Sequence, residues 1–345
     1  MNRDSLVQLP SELAHPGSRA NGRYVLGVDG GATKTLAAVL DLRDGVVHLA
    51  EGGPSNEDAI GTRAAVDALS DTAAQALARA EIAAGELATA VLAVAGTDTG
   101  AIVRQVHAAH SDEWIVVNDV VGAWAVATDA QPGIGAISGT GSNVFGVGPD
   151  GRGWRVGGWG HLLGDEGSGY WLGTESIRAA LRDRDGSGEQ TALSDAAVEF
   201  FGVPSVDALA ALVYSKPLTK GEIAAFAVRT CALAESGDAV AQALYERGAR
   251  ELGAQVAVVA RHTGLDEVDA FPLGLIGSVF KAGALFVEPL VAAVRETAPG
   301  ARASVVEMAP VGGSLQLAMR VCGCAGAVTH EHLQQQLDAA LADAR

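Results

Sequence analysis

One local pattern occurs twice in this chain and limits what it can fold into. Residues 25–42, VLGVDGGATKTLAAVLDL, read as an apolar strand, a polar glycine-rich turn and a second apolar strand. Residues 134–147, IGAISGTGSNVFGV, repeat that order. Each turn follows a short apolar run, where a strand ends and backbone N–H groups can face an anion. Two hairpins of one design predict two phosphate-holding turns, Asp29-Gly30-Gly31 and Gly139-Thr140-Gly141-Ser142.

The elements after each hairpin repeat as well. In the first half strands are expected at 25–28, 34–42 and 46–50, a helix over 59–83, a strand at 91–94, a helix over 101–110, a strand at 114–117 and a helix over 121–128. In the second half the strands are 134–138, 143–147 and 154–157, followed by a helix from about Gly167 to Leu181. A strand at 271–276, a helix over 280–296, a strand at 303–306 and a helix over 312–321 complete the copy. The second copy is swollen by a helical insertion over 183–264, with breaks at DRDGSG, Pro204, Pro217 and Ser236-Gly237. The expected domains are a leader (1–22), a first domain (23–130) and a second domain (131–328). A tail helix over 329–343 carries Leu333, Leu337 and Leu341 at i, i+4, i+8, a stripe that must be buried on the first domain or on a second copy.

Composition narrows the function. The chain has 345 residues, 48% hydrophobic and 19% charged, enough for two domains with a sizeable core. Its 24 basic and 41 acidic residues give a formal charge of −17, which repels polyanions and argues against a nucleic-acid partner. No apolar run reaches the ~20 residues of a membrane span. The leader has no apolar core of a signal peptide, so no membrane and a cytoplasmic location are expected. Cys231, Cys322 and Cys324 suit free thiols of a reducing compartment, since Cys322-Gly323-Cys324 is too tightly spaced for the usual zinc pairs. His330-Glu331-His332 is not HExxH, so a histidine-bound metal is not expected.

The chemistry-bearing residues cluster at the turns. A carboxylate at Asp29 would hold a hydrated Mg²⁺ against β- and γ-phosphate oxygens, with Thr33 and Lys34 adding a hydroxyl and a positive charge. A plain Asp-Gly-Gly turn is the alternative. Asp119 ends a strand at VVND, on the edge of a parallel sheet where ligands bind. There it can take the proton of an attacking hydroxyl, cap the following helix, or do both. The GTGS turn is neither a GxxxxGK[ST] loop nor the GxGxxG of dinucleotide proteins. Gly158, Trp159 and Asp165, in GGWGH and GDEGS, combine an aromatic ring with an acid, the pairing that holds a sugar by its C–H face and its hydroxyls. Glu166 is read as favouring the N-terminal dipole of the next helix.

Taken in order, YVLGVDGGATKT, GGPSNEDAIG, VVNDVVGAW, GAISGTGSN and GGWGHLLGDEGSGYW resemble the N-acetylglucosamine kinases of the BadF/BadG-type ATPase family, within the superfamily of sugar kinases, heat-shock ATPases and actin. The resemblance runs from Tyr24 to about Ala318 and implies an α/β protein of two ribonuclease-H-like (actin-like ATPase) domains, each a βββαβαβα repeat, around an interdomain cleft. It implies Asp119 as the base, and Asn56, Trp159 and Asp165 as sugar contacts. Thr140, Gly141 and Asn143 would lie in a turn shared by sugar and phosphate, and Gly30, Gly31 and Thr33 in the first phosphate turn. Gly277 and Ser278 match a nucleotide-side turn, with serine where glycine is commoner. ATP and Mg²⁺ as cofactors, an amino-sugar substrate and a homodimer follow from the same likeness.

The expected activity is ATP-dependent phosphorylation of the 6-hydroxyl of N-acetylglucosamine in amino-sugar salvage. The alternatives are a glucosamine kinase, a non-kinase activator-type ATPase and a sugar-binding regulator without turnover. The cysteine placement does not resemble that of the cluster-bearing activators. The 23 residues ahead of Tyr24 are too few for the DNA-binding helix pair of repressor-like sugar kinases.

Overall fold

A computed structural model describes residues 22–31, 33–96, 99–110, 114–215 and 218–343. The leader up to residue 21 and the break expected at Pro217 lie outside the described residues. Strand β1 (Tyr24–Gly30) pairs antiparallel with β2 (Thr35–Asp41), and β2 pairs antiparallel with β3 (Val47–Gly52). Both connections are tight: Gly31 N donates to Lys34 O at 3.0 Å, and Asp41 N to Val46 O at 3.0 Å. Strands β4 (Leu87–Val94) and β5 (Trp114–Asn118) run parallel to β1, so they need crossovers. These are α1 (Glu57–Ile60) with α2 (Thr62–Arg79), and α3 (Thr99–Ala109). The helix expected over 59–83 is split at Gly61, whose φ of +83° leaves the helical region. Every residue of β2 is buried, which explains its unbroken apolar run. Leu69 and Ala73 of α2 pack with Leu26, Val28, Val39 and Leu92 of the sheet.

The first sheet has the order β3-β2-β1-β4-β5. The second sheet is made of β6 (Gly133–Ser138), β7 (Ser142–Val147), β8 (Gly153–Gly157), β9 (Phe271–Ile276) and β10 (Ala301–Val305). Its order, β10-β9-β6-β7-β8, is the same path walked again, so the repeat inferred from the sequence is a repeat of topology. Helix α5 (Gly169–Asp185) follows β8, and the insertion is α6 (Leu193–Phe201), α7 (Val206–Ser215), α8 (Lys220–Glu235) and α9 (Ala239–Thr263). The insertion has its own core, in which Leu193, Leu209, Phe226 and Leu244 are buried with Ile177 and Ala180 of α5. The helix expected over 280–296 begins only at Ala284 as α10 (Ala284–Arg295), because Gly283 turns the chain at φ +58° after a short 3-10 turn, Ser278–Ala282.

The chain divides into two compact units. One runs from the described N-terminus to Gly135, with Val147–Trp154 and everything after Val306; the other is Ala136–Gly146 with Arg155–Val305. Helix α11 (Val311–Val321), which the sequence boundary puts with the second half, belongs to the first unit. It packs on β1, β4 and α4 (Asp119–Thr128). That packing is close: a Cβ on Gly313 would stand 2.0 Å from the Gly122 carbonyl oxygen and 2.8 Å from Val126 Cγ2. Ser314 Oγ donates to the Val28 carbonyl of β1 at 2.8 Å. The tail helix α12 (His330–Asp343) lies on β3, with Leu333 and Leu337 fully buried. Cys231, Cys322 and Cys324 are free thiols, and burial pushes the Cys322 thiol up to about 11.

Because the atom opposite Gly313 is backbone, it cannot rotate away. Gly313→Ala is expected to destabilise the protein by about 1–3 kcal/mol. Urea unfolding checks it; a wild-type midpoint would rule out so close an approach of α4 and α11.

Candidate active site

In the first unit two carboxylates meet at the carboxyl ends of parallel strands. Asp29 is the penultimate residue of β1, level with Ala93 of β4. Asp119 opens α4 immediately after β5. The helix is capped by Asn118, whose side chain accepts from Val120 N at 3.2 Å and donates to Gly96 O at 3.2 Å. Asp119 therefore is not the cap, and the structural alternative for it falls to its neighbour. Burial, and then the negative charge of Asp119, push the Asp29 carboxyl up to about 7, while Lys34 opposes the rise. Two acids so placed repel each other and suit a divalent cation that keeps most of its waters, as Mg²⁺ does. No group of three or more His, Cys, Asp or Glu side chains placed to hold a metal occurs among the described residues.

The first turn is built by a residue that the sequence did not single out. Ser55 is fully buried; its N–H donates to Gly31 O at 3.0 Å and its Oγ accepts from Thr35 Oγ1 at 2.8 Å. A Cβ on Gly30 would come within 2.6 Å of that hydroxyl, so the serine and the glycine require each other. Asn56 follows, its carbonyl accepting from Ile60 N at 3.2 Å. Thr33 is exposed. Lys34 is half-exposed and forms an ion pair with Glu51 at 3.0 Å.

The second unit gathers the other turns. Gly139 N donates to Gly141 O at 3.0 Å, Gly169 N to Gly139 O at 2.8 Å and Tyr170 N to Thr140 O at 3.2 Å, so the start of α5 closes on the GTG turn. Thr140 itself is exposed at the tip. Gly277, at φ +120°, presses on the same turn: a Cβ there would lie 2.3 Å from Ser138 O and 3.0 Å from Gly139 N. Ser278 is exposed and opens the 3-10 turn beside it.

Asp165 lies buried behind Gly141, with a left-handed φ of +67°. Its Oδ1 accepts from Ser142 N at 3.1 Å, and Lys220 Nζ stands 2.7 Å from its Oδ2, outside hydrogen-bonding geometry. Asn143 packs under Gly158, and its Oδ1 is buried with no donor among the described residues. Gln255 of α9 points at Gly157; its Nε2 donates to Glu166 Oε2 at 3.1 Å and its Oε1 is likewise a buried acceptor without a donor. Buried acceptors left this way are uncommon in folded proteins, and a water or a ligand can serve them. Glu166 precedes the Ser168 cap of α5 and is held by Gln255. Trp159 is 58% exposed, with the Arg155 guanidinium 5.6 Å from its ring centre.

Sequence reasoning thus names the turns, the acids and the tryptophan, and misses Ser55, Lys220 and Gln255. No local signal could have found the last two, because both lie on helices of the insertion.

The family of BadF/BadG/BcrA/BcrD ATPases matches residues 26–315, and the chain belongs to that family. It is similar to the N-acetylmuramic acid/N-acetylglucosamine kinase of Clostridium acetobutylicum, 33% identical over 242 residues that span 69% of this chain and 79% of the relative. It is also similar to the N-acetyl-D-glucosamine kinase of Dictyostelium discoideum, at 24% identity over 310 residues, 85% of this chain and 97% of that one. Among solved structures, a Chromobacterium violaceum protein provisionally described as an N-acetylglucosamine kinase superposes with a TM-score of 0.68 at 26% identity, covering 86% of this chain and 99% of its own. A hexokinase of Thermus thermophilus shares the fold at a TM-score of 0.51 and 18% identity, over 86% of this chain and 97% of its own. The two repeated sheets are those of the actin-like sugar-kinase fold.

Asp29 supplies a pH test. Its folded pKa of about 7 exceeds the usual 3.8, so between those values the folded state binds the proton that the unfolded chain has lost. Stability contributed by the neutral acid is therefore present below about pH 4 and lost as pH rises towards 7. In EDTA, Asp29→Asn is expected to exceed wild type at pH 8 by on the order of 2–4 kcal/mol, with the advantage vanishing near pH 4. Urea unfolding at the two pH values reads it, and equal gains at both would remove the buried-acid account.

Proposed function

We propose that this chain transfers the γ-phosphoryl group of ATP to the 6-hydroxyl of N-acetylglucosamine, giving N-acetylglucosamine 6-phosphate and ADP in amino-sugar salvage. The observation that carries the reading is the Asp119 carboxylate, released from capping by Asn118 and electrostatically coupled to Asp29 at the neighbouring strand end. The kinase names of the relatives support the substrate and the reaction class.

Each unit contributes a separate part. In the first, Asp119 accepts the proton of the attacking hydroxyl, the base role in phosphoryl transfer. Asp29 would hold Mg²⁺, which when bound neutralises charge on the phosphate oxygens. The Gly30-Gly31 turn with Thr33 offers N–H and hydroxyl donors to phosphate, Lys34 adds charge, and Asn56 contacts the sugar. In the second, Gly139, Thr140 and Gly141 form the other phosphate turn, and Gly277 with Ser278 receives the nucleotide. Asn143, Gly158, Trp159 and Asp165 bind the sugar, the ring of Trp159 against its C–H face and the carboxylate on its hydroxyls. Phosphoryl transfer needs little beyond such positioning and electrostatics.

The test is ADP release with Mg²⁺ over a panel of N-acetylglucosamine, glucosamine, N-acetylmannosamine and N-acetylmuramic acid. N-acetylglucosamine is expected to give the highest kcat/KM; ADP release independent of any sugar would favour an activator-type ATPase. Asp119→Asn is expected to lower kcat by about 10²–10⁴-fold while the sugar dissociation constant stays near wild type. Turnover close to wild type in that variant would exclude Asp119 as the base.

A further inference from the structure

Lys220 breaks a local rule. It is the first residue of α8, next to the Thr219 cap, which accepts from Glu222 N at 3.2 Å and donates its own N–H to Glu222 Oε2 at 2.7 Å. The N-terminus of a helix is electropositive and disfavours a cation. Such violations mark places where something other than local stability sets the residue. Opposite it lies Asp165, whose side chain is 4% exposed and whose Oδ2 is 2.7 Å from Lys220 Nζ. A buried carboxylate needs a compensating charge, and this ammonium supplies it.

The arrangement is not that of a plain internal ion pair. Asp165 Oδ2 is buried and unmatched by any hydrogen-bond donor among the described residues, since the ammonium approaches outside bonding angles. The oxygen is compensated in charge by the ammonium at 2.7 Å, and its remaining lone pair can accept a hydroxyl. Gly141 completes the geometry. A Cβ there would lie 2.9 Å from Lys220 Nζ and 3.0 Å from both Asp165 oxygens, so the pair packs directly against the GTG turn. Lys34 in the first unit differs, being a half-exposed partner of the half-exposed Glu51.

We infer that Lys220, contributed by the helical insertion, is a positioning residue for sugar recognition: it compensates the Asp165 carboxylate and fixes it behind Gly141, so that Oδ2 accepts a substrate hydroxyl. The inference rests on the function proposed above and gives the insertion a role in specificity.

Initial rates with N-acetylglucosamine and ATP varied separately, alongside thermal melting, test it on Lys220→Met, Lys220→Arg and the double variant Asp165→Asn/Lys220→Met. Lys220→Met is expected to raise the sugar KM about 10–100-fold, the size usual when an orienting partner is removed, with the ATP KM and kcat changing far less. Lys220→Arg should recover most of the loss. The double variant should regain thermal stability, because it buries no uncompensated charge, while its sugar KM stays high. A wild-type sugar KM in Lys220→Met, or recovery of the sugar KM together with stability in the double variant, overturns the inference and leaves the kinase reading standing. A wild-type protein that phosphorylates no amino sugar overturns both.

Discussion

The structure depends on backbone approaching backbone at points where no Cβ fits. At Gly313 a helix comes within carbonyl distance of α4, and at Gly277 a turn comes within carbonyl distance of the Ser138–Gly139 peptide. The first contact seats α11 under β1 and sets α4, with Asp119 at its head, against the sheet that ends in Asp29. The second locks the GTG turn at the end of β6. Side chains at these positions would hold the elements apart by more than the tolerance of a hydrogen-bonded site. Glycine here is a distance requirement first and a conformational one second.

Electrostatics then separates the acids into two kinds. Asp29 faces another acid, and Lys34, itself engaged with Glu51, opposes the repulsion. Such an arrangement suits a cation. Asp165 has its compensation built in, with Lys220 beside one oxygen and Ser142 N on the other. Such an arrangement suits neutral donors. Like side chains can take different roles when the surrounding charges differ.

The insertion is more than a decoration of the second sheet. It packs its own core around Phe226 and Leu244, and from that rigid base two of its side chains, Lys220 and Gln255, reach the loop between β8 and α5. A loop bearing an exposed tryptophan and two exposed leucines, Leu162 and Leu163, has little apolar burial of its own. Its order comes from contacts such as Gln255 to Glu166 and Ser142 Oγ to the Glu166 carbonyl at 2.9 Å.

Much of this was present in the sequence because it is local. Strand, glycine turn and strand follow from residues within a few positions of each other, and the duplicated order of elements follows from reading that pattern twice. The turns at Gly30-Gly31 and Gly139-Gly141, and the acids Asp29, Asp119 and Asp165, were legible for the same reason. Only tertiary structure decided that Asn118 rather than Asp119 caps α4, that α11 joins the first unit, and that Ser55, Lys220 and Gln255 complete the turns. Those outcomes depend on which distant segments meet, and neither periodicity nor spacing along the chain records a distance across the fold.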